Sequence, residues 1–137
     1  MNELTEREWY KLCNRWTSKG YTSLNEFERV WLSVRELIDC TNNGGMISYF
    51  YNSGADHLDD CIASLEQLGA DEVKEQVFRL CCLFQNGVPR TPQGRNEVIS
   101  SWDQSIEGLL DEIDEATFLL VPDLEVRLDE FVSHNIH

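Results

Sequence analysis

The chain has 137 residues, 42% of them hydrophobic, and carries 25 Asp and Glu against 11 Lys and Arg, a formal charge of −14. This is one domain's worth of chain, able to bury roughly 65–70% of its unfolded surface, so neither a metal nor disulfides are required to hold it together. The charge excludes sequence-independent binding to a nucleic-acid backbone or an anionic membrane, both of which demand a cationic surface.

The apolar spacing is helical nearly throughout. Trp9, Leu12, Cys13 and Trp16 follow the i, i+3, i+4, i+7 rule, with Thr5 and Glu8 at capping-box spacing before them and Gly20 as a stop, which predicts a helix over 5–19. Phe27, Val30, Trp31, Val34, Leu37 and Ile38 predict a second, capped by Ser23 and Glu26 and ended by the run from Thr41 to Gly45. A short helix follows over Met46 to Tyr51. Leu58, Cys61, Ile62, Leu65 and Leu68 mark another that stops at Gly69, and Asp71 is placed to cap the one after it, with Val73, Val77, Leu80, Cys81 and Phe84 buried. Two Gly and two Pro between Asn86 and Arg95 form an internal loop. Beyond it Val98, Trp102, Ile106, Leu109, Leu110 and Ile113 continue at helical spacing, with a break expected near Gly108 or Asp111. A last helix is expected to start at Pro122 and to use Leu124, Leu128, Phe131 and Val132. The fold class is therefore all-α: one compact multi-helix domain of about seven or eight helices spanning residues 1–137.

No apolar run approaches the roughly 18 residues of a membrane span, and Met1 to Tyr10 lacks the apolar core of a secretory signal, so a cytoplasmic location is expected. The five cysteines, Cys13, Cys40, Cys61, Cys81 and Cys82, are odd in number and show no C-x-x-C spacing. They read as small thiols on helical apolar faces, without a function.

The acidity is segregated. Residues 1–35 hold five acids and six bases, and residues 71–100 hold four of each, whereas residues 36–70 hold six acids and no base, and residues 101–137 hold ten acids and one base. A solubilising surface more usually interleaves its signs. Asp103, Glu107 and Asp111 recur every four residues, with Glu112, Asp114 and Glu115 beyond them, which aligns a stripe on one face if the helix runs through. Carboxylates about 5–6 Å apart along a helix resemble successive phosphates on one strand and would suit a basic surface shaped for nucleic acid. Asp56, Asp59 and Asp60 form a second cluster, in which Asp56 could instead cap a helix.

Asn42-Asn43-Gly44-Gly45, with Tyr49 and Asn52 following, is the most specific string. Two glycines before a helix can converge backbone N–H groups on an anion or a ligand carbonyl, or can simply make a tight interhelical turn with Asn52 closing the short helix; the turn is favoured. Catalysis finds little support. His57 sits in an acidic stretch, His134 and His137 lie at an end expected to fray, and no metal-ligand spacing or partnered nucleophile occurs, so no catalytic residue, metal or cofactor is assigned.

Taken together, Leu24-Asn25-Glu26 with Glu28-Arg29, Asn43-Gly44-Gly45 with Tyr49-Phe50 and Asn52-Ser53, Leu65 and Leu68-Gly69-Ala70, and Leu110 with Ile113-Asp114-Glu115 resemble the DNA-mimic protein family. The likeness spans about residues 23–135, and the wider family is catalogued as a domain of unknown function. Met46 departs from the pattern where an aromatic is common, and Ile113 where leucine is usual. The resemblance implies an all-helical domain without catalytic chemistry and, for the family's studied founder, an acidic surface that imitates duplex DNA and sequesters a DNA-binding transcription regulator. The expected partner is thus a basic protein rather than nucleic acid or membrane. A homodimer, by doubling the acidic stripe, would reach duplex length. The alternatives are a small-ligand or enzymatic site at the Asn-Asn-Gly-Gly turn, and an immunity-type protein with a partner that does not bind DNA.

Overall fold

The run from Phe27 to Ile38 is apolar on more than one side, and a helix of that kind has to be covered all round. In the computed structural model, which describes residues 3–136, it becomes the axis of the molecule. Seven α-helices are present among the described residues: α1 (Glu3–Lys19), α2 (Glu26–Gly44), α3 (Met46–Tyr51), α4 (Leu58–Gln67), α5 (Asp71–Cys81), α6 (Pro92–Ser100) and α7 (Ile106–Asn135), with 3-10 turns at Tyr21–Ser23 and Ser53–His57 and no strand. Met1, Asn2 and His137 lie outside the described residues. The all-α expectation of about seven helices is met.

Helix α2 packs against α3, α4 and α7, α5 lies against both α4 and α7, and α6 rests on α3. The core runs along α2 through Trp31, Val34, Leu37 and Ile38 and takes in Met46, Tyr49 and Phe50 from α3, Leu65, Val77 and Leu80 from α4 and α5, and Ile113, Leu124 and Leu128 from α7. Helix α1 is fastened over this core by Trp9 on Trp31, with ring centroids 5.1 Å apart, and by the Arg15–Glu28 ion pair.

Several helix ends differ from expectation. Helix α1 already runs at Glu3, so Thr5 sits inside it rather than capping it. Helix α2 is capped by Asn25, whose side chain accepts from Glu28 N–H at 2.9 Å while Glu28 Oε1 accepts from Asn25 N–H at 3.0 Å; the reciprocal box therefore lies two residues beyond Ser23 and Glu26. Ala70, not Asp71, is the cap residue of α5. Gly69 ends α4 as expected. At φ 71° it lets Ala70 N–H reach back to Leu65 C=O at 2.8 Å, a left-handed turn that only glycine adopts without strain. The central loop is shorter than expected, because Pro92 occupies the first turn of α6 and Thr91 Oγ1 accepts from Gly94 N–H at 3.1 Å.

The largest correction concerns the C-terminal third. The expected break near Gly108 or Asp111 and the new start at Pro122 are both absent, and a single α7 runs from Ile106 to Asn135 with Pro122 inside it. Proline removes one helical hydrogen bond and costs about 3 kcal/mol in a helix interior. Pro122 and Phe118, the residue whose carbonyl loses its donor, both lie on the exposed side where water can serve that carbonyl, while Thr117, Val121 and Leu124 stay buried around the site. His134 is accordingly helical, with its Nδ1 at 2.7 Å from Glu130 C=O.

Candidate functional site

The acidic row of α7 is built from the helix itself. Glu107, Asp111 and Glu115 are exposed and have no ion-pair partner among the described residues. Successive members are offset by about 6 Å along the axis. Asp103 is not part of the row. Trp102 packs edge-on against Phe84 at 4.9 Å, drawing the chain out of helical conformation after Ser100, and the Asp103 carboxylate accepts from Ser105 N–H at 3.0 Å in the turn that leads into α7. There its charge favours the N-terminal end of the helix dipole. Glu112, also exposed, faces Arg79 of α5 at 3.2 Å.

Asp114 is engaged differently. Although bracketed by solvent-facing acids, it is half-buried, and its Oδ1 accepts from Met46 N–H at 2.9 Å, closing the N-terminus of α3. The glycine pair is what lets it in. Gly45 has φ 83°, and a Cβ at that position would collide with the Asp114 carboxylate. The Asn-Asn-Gly-Gly string is therefore a filled junction: Asn42 and Asn43 are exposed near the end of α2, Gly44 ends it, Gly45 turns, and Tyr49 is fully buried with its hydroxyl donating to Gly54 C=O at 3.0 Å. Asn52 closes α3, as expected, by donating to Ser48 C=O at 2.7 Å.

The second cluster is also drawn inward. Arg95 is completely buried and donates to Phe50 C=O (2.8 Å), Pro89 C=O (3.0 Å), Asn52 C=O (2.9 Å) and Asp56 Oδ1 (2.6 Å). Asp56 is thus the counter-ion of a buried guanidinium that ties the central loop to α3. Asp60 accepts from Tyr21 Oη, and Tyr21 in turn stacks on His57 at 3.6 Å. Only Asp59 of the three is exposed and unpaired among the described residues. All three border a cleft of about 540 Å3 floored by Leu58, Phe78 and Val88. Glu36, a neighbour of Asp56, is held well above the usual carboxylate range, at about 7, by burial and by Asp56 and Asp39.

The family model described as DMP19-like protein matches residues 22–135. The chain belongs to the DMP19-like family. This is the DNA-mimic family that the residue pattern resembles, and it takes in α2 to α7, leaving α1 outside the match. No curated protein and no solved structure matches the chain.

Within this DMP19-like domain the nine acids picked from the sequence separate into two kinds. Glu107, Asp111, Glu115 and Asp59 project freely; Asp114, Asp56, Asp60, Asp103 and Glu112 are bound by partners elsewhere in the chain. Helix α5 packs against both α4, which carries Asp59 and Asp60, and α7, which carries the row. Sequence reasoning missed Arg95, for which a cation after a Pro-Gly loop gives no sign of burial. It also missed the capping role of Asp114, whose only signal is the glycine pair 69 residues earlier. The cysteines are free, and Cys82 is exposed rather than packed. Burial pushes the Cys61 thiol up to about 12 and that of Cys81 to about 11. Among the described residues no group of three His, Cys, Asp or Glu is assembled to hold a metal ion, and no helix is long and apolar enough to cross a membrane.

Proposed function

We propose that this domain is a non-enzymatic DNA mimic of the cytoplasm that occupies the nucleic-acid site of a basic DNA-binding protein, with a transcription regulator as the favoured partner class. The observation that carries the reading is the exposed row Glu107, Asp111 and Glu115 on the continuous part of α7, unpaired among the described residues, in a chain that belongs to the DMP19-like family. A row of fixed carboxylates offers a cationic surface what a phosphate strand offers it: regularly spaced negative charge on a rigid support. Like charges four apart cost a helix a few tenths of a kcal/mol per pair, a cost that solubility alone does not require in one segment. Long-range attraction speeds association with such a partner, and added salt weakens it. The small-ligand alternative loses its support because the Asn-Asn-Gly-Gly turn is filled by Asp114.

The test is capture from the native host's lysate on the immobilised full chain, with mass spectrometry of what is retained. Retained proteins should be DNA-binding and should be released by duplex DNA and by salt. The Glu107→Lys, Asp111→Lys, Glu115→Lys variant should lose them while its helical circular dichroism persists. Retention that duplex DNA cannot displace, or that survives the three reversals, overturns the proposal.

A further inference from the structure

The same helix carries a feature that a phosphate-like row does not explain. Helix α7 buries Ile113, Thr117, Val121, Leu124, Leu128 and Val132. At 100° per residue, the opposite line of the helix passes through Glu112, Glu115, Leu119, Asp123, Val126 and Glu130. Leu119 on that line is 84% exposed and Val126 is 55% exposed, with Phe118 beside them at 46%. Isolated exposed apolar side chains are ordinary. Here Leu119 and Val126 are one heptad apart, the repeat that lines the contact seam between two helices. Carboxylates stand at both ends of the seam: Glu115, and Glu112 beside Arg79, before it, and Glu130 after it. The strip is thus acidic at both ends and apolar between them, where the one carboxylate, Asp123, is answered by Arg127 of the same helix, over about five helical turns.

Charge decides what can lie on it. A second α7 laid parallel sets each end against itself, and one laid antiparallel about Pro122 sets Glu112 and Glu115 against Glu130, so either copy opposes carboxylate with carboxylate. The helix's one base, Arg127, is already engaged by Asp123 at 2.7 Å and Leu68 C=O at 3.0 Å. We propose that this face, from Glu112 to Glu130, seats an α-helix of the partner that is apolar in its middle and cationic at both ends. The inference rests on the DNA-mimic reading for the partner's basic character and adds how that partner is held: by an amphipathic helix whose apolar side chains cover Leu119 and Val126, in addition to cations that answer the carboxylates.

The probe is a synthetic helical peptide of about 20 residues with Leu at two central positions one heptad apart and Lys at both ends, compared with a peptide of identical composition in scrambled order. Binding to the full chain is read by fluorescence anisotropy across a salt series. The patterned peptide should bind about tenfold or more tighter than the scrambled one, and Leu119→Ser with Val126→Ser should erase that margin while leaving the dependence on salt unchanged. Leu4→Ser, at a comparably exposed apolar position on α1, should change nothing. Equal binding of the two peptides, or indifference to the paired Ser variant, overturns the inference. So does a wild-type dimer in sedimentation that the paired variant turns into monomer, since the strip would then be occupied by a second copy. Loss of host-partner capture on reversing Glu107 and Asp111, which lie off the strip, together with capture undiminished by the Ser pair, would sink the strip alone. Capture indifferent to those reversals would sink the DNA-mimic reading itself.

Discussion

Two acidic regions that look alike in composition serve different ends. Around α4, Asp56 neutralises the buried Arg95 and Asp60 accepts from Tyr21, leaving Asp59 alone unpaired among the described residues; along α7, Glu107, Asp111 and Glu115 are all exposed and unpaired. The difference follows from the supports. The α4 cluster stands where a 3-10 turn, the central loop and α6 converge, so there are carbonyls and a guanidinium to be tied together. The α7 row stands on the solvent side of a long helix, and no ion pair among the described residues uses its charge. Acidity at a junction is structural, whereas acidity on a free helical face is available to a partner.

The comparison can be broken most forcefully at Arg95. Arg95→Met leaves three carbonyls and Asp56 without their shared donor and should cost about 3 kcal/mol or more, because stripping one member from a buried pair exposes the full desolvation cost of the rest. Urea unfolding monitored by circular dichroism reads it, and an unchanged midpoint would mean that the α4 cluster is as free as the α7 row. A smaller effect is expected at Asp114, where Asp114→Ala removes the cap of α3 and should cost about 1–2 kcal/mol, with Asp114→Asn retaining most of the stability since asparagine caps nearly as well. If Asp114→Ala keeps full stability yet diminishes partner capture, Asp114 belongs with the free row after all. The smallest effect sharpens the other side. Replacing Glu107, Asp111 and Glu115 together by Gln should leave the fold intact or raise its stability by a few tenths of a kcal/mol per relieved pair, a gain that shrinks at high salt. Marked destabilisation by these three changes would assign the row an internal role.

Much of the fold was legible because helical burial repeats on a local period. The patterns of α2, α3 and α4 place those helices to within a few residues, and Gly20 and Gly69 mark helix ends that need a positive φ. Where local signals competed, the reading slipped. Pro122 looks like a start, but the buried line through Thr117, Val121 and Leu124 carries the helix across it. Trp102 fits the period of a continuing helix, yet its contact with Phe84 takes it out of one and removes Asp103 from the stripe.

The sequence by itself determined that this is an all-helical acidic domain, that its charge is concentrated in two segments, and that it belongs with a DNA-mimic family, since composition, period and motif are all properties of neighbours in the chain. Which carboxylates remain free was decided only by the tertiary structure. Asp114 and Glu115 are adjacent and chemically alike, but one meets the N–H of Met46, 68 residues away, and the other meets water. Hydrogen-bond partners brought together across the fold cannot be read from the charge of a residue or of its neighbours, and they separate the acids that hold this protein together from those it can offer to another.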